Sequence, residues 1–310
     1  MKHIMSMLTL TGLALTAQAE ETETTLNAYA AGYQANFTCS ATFNGGKSEE
    51  QIYEDELTGI YALIADRIPT GDVAVNSAAK FVAVNYDNGE RTRYSVWRPR
   101  LGCVDLPVGA AQQDIDKVYK PFSENTASAK DSGQPWQQRN GVNEATGNDK
   151  LDKVIQQAFS KHYGEGARTS AVLIATPDKI IAEHYKPGFT PETAQRTWSV
   201  AKSIGASVIG AAVQQELLSI DQPAGLNNWS HPLDPRQHIT LENLLHMASG
   251  LDSNQAGNRT DRVYMGGGLV SDTATETALG VEPGACWKYA TNHTMLALRV
   301  LREAMPSEAA

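Results

Sequence analysis

The chain has 310 residues, of which 41% are hydrophobic, 20% charged and 7% aromatic. These proportions exclude a disordered tail, a collagen and a polytopic membrane protein, and the length suits one large domain or about two. A formal net charge of −9 opposes association with phosphate backbones, so no nucleic-acid partner is expected.

Lys2 and His3 form a short basic start, and Ile4 to Leu15 is mostly apolar but shorter than the ~20 residues a bilayer span needs. Ala17-Gln18-Ala19 has the small-x-small pattern of a processing site, so residues 1–19 are expected to be a secretory signal cut after Ala19. The mature protein is then expected in the periplasm or outside the cell, without a membrane anchor. Export permits disulfides. The three cysteines are Cys39, Cys103 and Cys286; one pair and one leftover is the simplest arrangement, with Cys39–Cys103 favoured because both lie in the N-terminal region, and three free thiols the other reading. No CxxC or HExxH spacing occurs, so no zinc site and no cofactor are expected.

Residues 20–122 read as an N-terminal extension. Within it, Lys80–Tyr86 and Arg91–Arg98 flank Asp87-Asn88-Gly89, a hairpin signature in which Asn-Gly supplies positive φ angles. Residues 123–149 are polar and read as a linker or long loop. Leu151 to Tyr163 carries a helical apolar stripe ended by Gly164, and Ala171–Ala175 and Lys179–Tyr185 predict an antiparallel hairpin around Pro177-Asp178. Ser199 to Leu218 is apolar on nearly every side, which predicts a buried helix. Thr240 to Met247 predicts a helix capped by Thr240, with Leu241, Leu244 and Leu245 facing inward. Residues 252–284 read as an irregular excursion, and Thr291–Met305 as a closing helix. The layout predicts an α+β fold with an antiparallel sheet.

GxSxG, GxxxxGK and GxGxxG are absent, and the seven histidines are scattered singly, each expected to be a surface or structural residue. Ser-x-x-Lys occurs twice, at Ser77/Lys80 and Ser199/Lys202. Ser77 precedes a strand-like run, where residues three apart point to opposite faces. Ser199 opens a helix, where positions i and i+3 share a face, so Lys202 Nζ can reach Ser199 Oγ. The helix dipole would favour a developing alkoxide, and burial would depress the lysine pKa.

Thr197 to Ser203 resembles the active-site block of serine β-lactamase-related hydrolases. Ala224-Gly225 leading to Trp229, Asp234-Pro235-Arg236 followed by Ile239-Thr240-Leu241, Leu244 to Leu251, and Pro283-Gly284-x-x-Trp287-x-Tyr289 match further blocks in order and spacing. Over roughly residues 150–310 the chain resembles the class C β-lactamase and penicillin-binding-protein-like superfamily, and most nearly its 6-aminohexanoate-dimer hydrolase and carboxylesterase-like members. That likeness implies a β-lactamase/transpeptidase-like fold, an antiparallel sheet flanked by helices with a helical subdomain. It implies Ser199 as nucleophile, Lys202 and Tyr289 as the acid/base pair, and Tyr289-Ala290-Thr291 as the Tyr-x-Asn variant, Asn292 lying one position late. This departure favours an esterase or amidase over a lactamase. Family members also carry a late Lys- or His-x-Gly strand that lends an oxyanion N–H; no such segment follows Tyr289 here, so the chain is expected to lack the last strands and final helix.

The resemblance therefore implies an exported serine hydrolase of small esters or amides; the alternative is an inactive relative that binds ligand in a remnant pocket. Tyr264 and Asp261, in the excursion, either roof the pocket or form a surface loop. Trp198 and Trp287 either line it or pack the core, with the core favoured, and Ser249-Gly250 is expected to form a helix end that needs glycine. The oligomeric state is open.

Overall fold

A computed structural model describes residues 2–68, 73–123, 137–138, 141–252 and 262–305. Asp261 and the linker residues 124–136 and 139–140 lie outside the described residues. The chain divides into two compact units, one made of residues 1–122 and 196–310, the other of 123–195.

The larger unit begins with the long helix α1 (Lys2–Phe43), followed by α2 (Glu49–Glu56), α3 (Ala62–Ala65) and the strands β1 (Val73–Asn76), β2 (Phe81–Tyr86), β3 (Arg91–Arg98) and β4 (Gly102–Asp105). Ser48 and Gln51 close a reciprocal capping box at the start of α2, which satisfies two otherwise orphan donors. The strands form one antiparallel sheet in sequential order. In the β2–β3 hairpin, Phe81 pairs with Val96 and Tyr86 with Arg91, and Asp87, Asn88 and Gly89 take positive φ angles of 50°, 56° and 85°. Alternation along β2 and β3 gives the sheet two apolar faces. Val82, Val84 and Tyr86 pack on Ala28, Ala31, Ala35 and Cys39 of α1, whereas Phe81 and Val96 pack on Leu106 and Ile115. The Cys39–Cys103 disulfide fastens α1 to β4 with Cα atoms 6.2 Å apart, and Cys286 is free and exposed. Glu23, just past the expected processing point at Ala19, pairs with Arg67.

The rest of this unit is helical: α5 (Val200–Gln214), α6 (Leu241–Leu245), α7 (Arg262–Met265), α8 (Val270–Thr275) and α9 (Thr291–Ala304), in chain order after the second unit's elements. Thr240 caps α6 through Asn243 N–H, with Asn243 returning to Thr240 N–H. Ile209, Leu226, Trp229, Ile239, Leu241, Leu244 and Leu296 form its core, each at most 2% exposed. Asp234 and Arg236 brace that core: Arg236 Nη1 donates to the carbonyls of Thr275 and Thr277, and Trp229 Nε1 donates to Thr275 O.

The smaller unit holds α4 (Asp149–Ala158) and three strands: β5 (Gln137–Gln138), β6 (Ala171–Thr176) and β7 (Lys179–Tyr185). β6 and β7 form an antiparallel hairpin turning at Pro177-Asp178, and β5 pairs with β7 in parallel. Asn148 caps α4, which ends at Ala158, shorter than the expected run to Tyr163 because the last turns unwind before Gly164.

Helices with sheets that are antiparallel except at the β5–β7 pair make the fold α+β. Helix α5 departs from expectation. Its buried residues are Gly205, Ile209 and Ala212, one stripe facing α9, and Leu298 and Thr294 of α9 stand next to Gly205. Val200, Ile204 and Val208 are 61%, 55% and 49% exposed, so within this unit the helix has one packed face rather than apolar cover all round. Among the described residues no helix is long and apolar enough to cross a membrane.

Candidate active site

Ser199 stands at the N-terminal end of α5, with helical φ and ψ of −70° and −8°. Short turns close the first helical winding: Val200 N–H donates to Thr197 O, Ala201 N–H to Trp198 O and Lys202 N–H to Ser199 O, at 3.0, 3.0 and 3.1 Å. The three-residue spacing brings Lys202 onto the face of Ser199, where Nζ donates to Ser199 Oγ at 3.3 Å. Tyr289, ninety residues later, donates its hydroxyl to the same oxygen at 2.7 Å. Lys202 Nζ lies 5.2 Å from the Tyr289 ring centroid. The structure thus brings together the three side chains that the sequence singled out.

Tyr289 is held by its own segment. Gly284 N–H donates to Ala248 O at 2.7 Å and Lys288 N–H to Met247 O at 3.0 Å, tying residues 284–288 to the turn after α6. Gly250 has φ +77°, and a Cβ there would stand 2.2 Å from Val281 O, so glycine is required by both the backbone angle and the close approach. Ser249 Oγ meets His293 Nε2 at 2.9 Å, and both residues are buried. This pair links the turn to the first winding of α9, which starts two residues after Tyr289. Burial pushes His293 down to about 4, so the ring is neutral at pH 7. His293 is thus structural, and nothing in its local sequence marks it as buried.

The electrostatics centre on Tyr289. Its hydrogen bond with Ser199, reinforced by hydrogen bonding and charge from Lys202, holds the phenol below the ordinary tyrosine range. Tyr289 is 50% exposed, Ser199 is exposed and Lys202 is half-buried. Lys202 begins the packed stripe that continues through Gly205 and Ile209, but at the open end of α5 it is only half-buried, so the full burial expected from the apolar helix is not found.

Three further expectations are corrected. Trp198 is 46% exposed and Trp287 70%, so neither packs the core. Tyr264 neither roofs a pocket nor lies on a surface loop. It is buried in α7 among Tyr29, Tyr33 and Phe37, and burial raises its phenol pKa strongly. Its neighbours come from α1, more than two hundred residues earlier, which local patterns do not report. The other Ser-x-x-Lys lies in the β1–β2 turn, where Lys80 Nζ stands over the Phe43 and Trp97 rings at 5.2 and 6.0 Å.

Trp198 has φ +44°, a left-handed angle that is strained for a bulky residue and costs on the order of 1–3 kcal/mol. Clefts of about 530 and 650 Å³ occur on this unit, and neither is lined by Ser199, Lys202 or Tyr289. Among the described residues no group of three or more His, Cys, Asp or Glu is placed to hold a metal ion.

With this geometry in view, residues 152–308 match the Beta-lactamase family. The chain belongs to the Beta-lactamase family. Membership supports a hydrolase of the serine type in general. In this Beta-lactamase-family chain the match spans Ser199, Lys202 and Tyr289 and begins after residues 20–122. No curated protein matches the sequence.

Proposed function

We propose that the chain is an exported serine hydrolase that cleaves small esters or amides through an acyl-enzyme at Ser199. The observation that carries this reading is the convergence of the Tyr289 hydroxyl and Lys202 Nζ on Ser199 Oγ, at 2.7 and 3.3 Å. The lysine ammonium favours the tyrosine phenolate. The phenolate takes the Ser199 proton as Oγ bonds to the substrate carbonyl, and the Ser199 N–H supports the oxyanion. The Tyr289 hydroxyl then returns that proton to the departing alcohol or amine as the C–O or C–N bond breaks. Water then gives a proton to the Tyr289 phenolate as it attacks the acyl carbon, the C–Oγ bond breaks, and Tyr289 returns that proton to Ser199 Oγ as the acid leaves.

Tyr289-Ala290-Thr291 in place of a strict Tyr-x-Asn supports ester or linear amide substrates over β-lactams, as in 6-aminohexanoate-dimer hydrolase and esterase-like relatives. The disulfide supports an oxidising compartment, the periplasm or the cell exterior, and is compatible with processing after Ala19.

The test is the intact mass of the purified chain after a fluorophosphonate probe, with peptide mapping. One adduct on Ser199, absent in Ser199→Ala, is the expected result. A cooperatively folded chain that takes up no probe and turns over no ester would sink the reading and leave the non-catalytic binding alternative.

A further inference from the structure

The residues leading into Ser199 are gripped by the N-terminal helices, which lie outside the family match. The Arg196 guanidinium stands 5.0 Å from the Phe37 ring centroid and 4.9 Å from that of Trp198, and the two rings are 5.6 Å apart. Tyr61 meets the other edge of this group, its ring perpendicular to Trp198 at 6.3 Å. The far side of Arg196 is fixed by α2: Nη1 pairs with the buried Glu56 carboxylate at 2.8 Å, and Nη2 donates to Asp55 O at 3.1 Å. Glu56 is itself held by Lys47 at 2.6 Å.

We propose that Phe37, Tyr61 and Glu56 are positioning residues for the candidate nucleophile, acting through Arg196 and Trp198 to aim Ser199 at Tyr289 and Lys202. The inference rests on the assignment of Ser199 under Proposed function.

The argument starts from the backbone. A tryptophan at φ +44° persists only where its surroundings over-determine it. The contacts that do so here come from α1 and from the segments at Glu56 and Tyr61. If they are removed, Trp198 relaxes toward negative φ. The peptide between Trp198 and Ser199 then turns, and the Cα–Cβ bond of Ser199 swings away from the Tyr289 hydroxyl. The Ala201 N–H bond to Trp198 O weakens with it. The grip is separable from the stability of the N-terminal sheet, whose contacts with α1 run through Val82, Val84, Ala31, Ala35 and Cys39.

The experiment compares full-length Phe37→Ala, Phe37→Trp, Tyr61→Ala and Val84→Ala, each checked for cooperative unfolding. One measurement is the rate of fluorophosphonate labelling at Ser199; the other is hydrogen exchange at the Ala201 amide. Phe37→Ala is expected to slow labelling about tenfold or more and to speed exchange by a similar factor. Phe37→Trp is expected to restore both. Tyr61→Ala, at a position 39% exposed, is expected to act in the same direction should Phe37→Ala not fold. Val84→Ala is expected to stay within about twofold of the parent in both measurements.

Unchanged labelling and exchange in both alanine variants would overturn the proposal, as would an equal loss in Val84→Ala. If the parent chain takes no label, the hydrolase reading falls, and exchange at Ala201 alone decides whether the grip exists.

Discussion

The Tyr289 hydroxyl reaches Ser199 Oγ at 2.7 Å across ninety residues of chain. The contact joins the start of α5 to the segment before α9, and Lys202 Nζ completes it from one turn along α5. A phenol this close to a serine hydroxyl, with an ammonium beside both, can pass a proton without a histidine base.

Replacing Tyr289 by Phe is therefore expected to lower the rate of ester turnover by about 10² to 10⁴, the usual worth of a positioned acid/base group. Lys202→Met should do comparable damage. The double variant is expected to lose far less than the product of the two, because the groups act as a unit. Additive losses, measured as kcat/KM on a small activated ester, would show that they work separately.

The pH dependence follows from the lowered Tyr289 pKa. In the proposed mechanism the phenolate is the reactive form, so the labelling rate of Ser199 is expected to rise with pH, with a midpoint below the ~10 of an ordinary tyrosine. Lys202→Met removes the neighbouring positive charge and is expected to move that midpoint upward. A midpoint that is unmoved, read from rates at closely spaced pH values, would remove Lys202 from the ionisation.

His293 makes a separate prediction about stability. Its folded pKa of about 4 lies below the ~6.5 of an unfolded histidine, so the unfolded chain binds more protons between these values. Stability from this group is present above pH ~6.5 and falls as the pH drops toward 4, by at most about 1.4 kcal/mol per pH unit. Denaturant midpoints from pH 7 to pH 4.5 should fall less steeply in His293→Gln than in the parent.

The disulfide predicts thiol counts as well as stability. The unreduced, denatured chain should titrate one thiol, Cys286, and the reduced chain three. Replacing Cys39 and Cys103 by serine together is expected to cost about 2–4 kcal/mol, since the bridge spans 64 positions of sequence. A melting temperature equal to the parent's would mean that packing of α1 on the sheet suffices alone.

Much of the local structure is legible in the sequence. The Asp87-Asn88-Gly89 turn, the Thr240 cap, the β6–β7 hairpin and the Ser199/Lys202 spacing all depend on residues within a few positions of one another. Tyr289 could be placed beside Ser199 only through its resemblance to an ordered series of motifs. Tyr264 and Trp198 depart from the sequence reading, and the burial of His293, one of the histidines expected to be surface or structural, is not legible in it, because their surroundings are built from distant segments. Tyr264 is enclosed by residues of α1, Trp198 is met by Phe37 and Tyr61, and His293 is matched to Ser249. The exposed stripe on α5 has the same origin, since composition records how apolar a helix is but not how many neighbours it has.

The buried Arg93 side chain donates from Nη2 to the carbonyls of Leu106 and Tyr264, at 3.1 and 2.7 Å, and the second contact spans 171 positions. In kinetic terms this is a contact of very high sequence separation, whose loop-closure cost is met before its enthalpy returns. The β2–β3 hairpin and the Cys39–Cys103 loop can close while the chain is still short, but the guanidinium at their centre then lacks one of its acceptors. Refolding should accordingly show an early phase in which the first 105 residues acquire structure and a later, slower one gated by arrival of the Tyr264 segment. Arg93→Met removes the Tyr264 contact together with the local one to Leu106 and should slow the second phase more than the first.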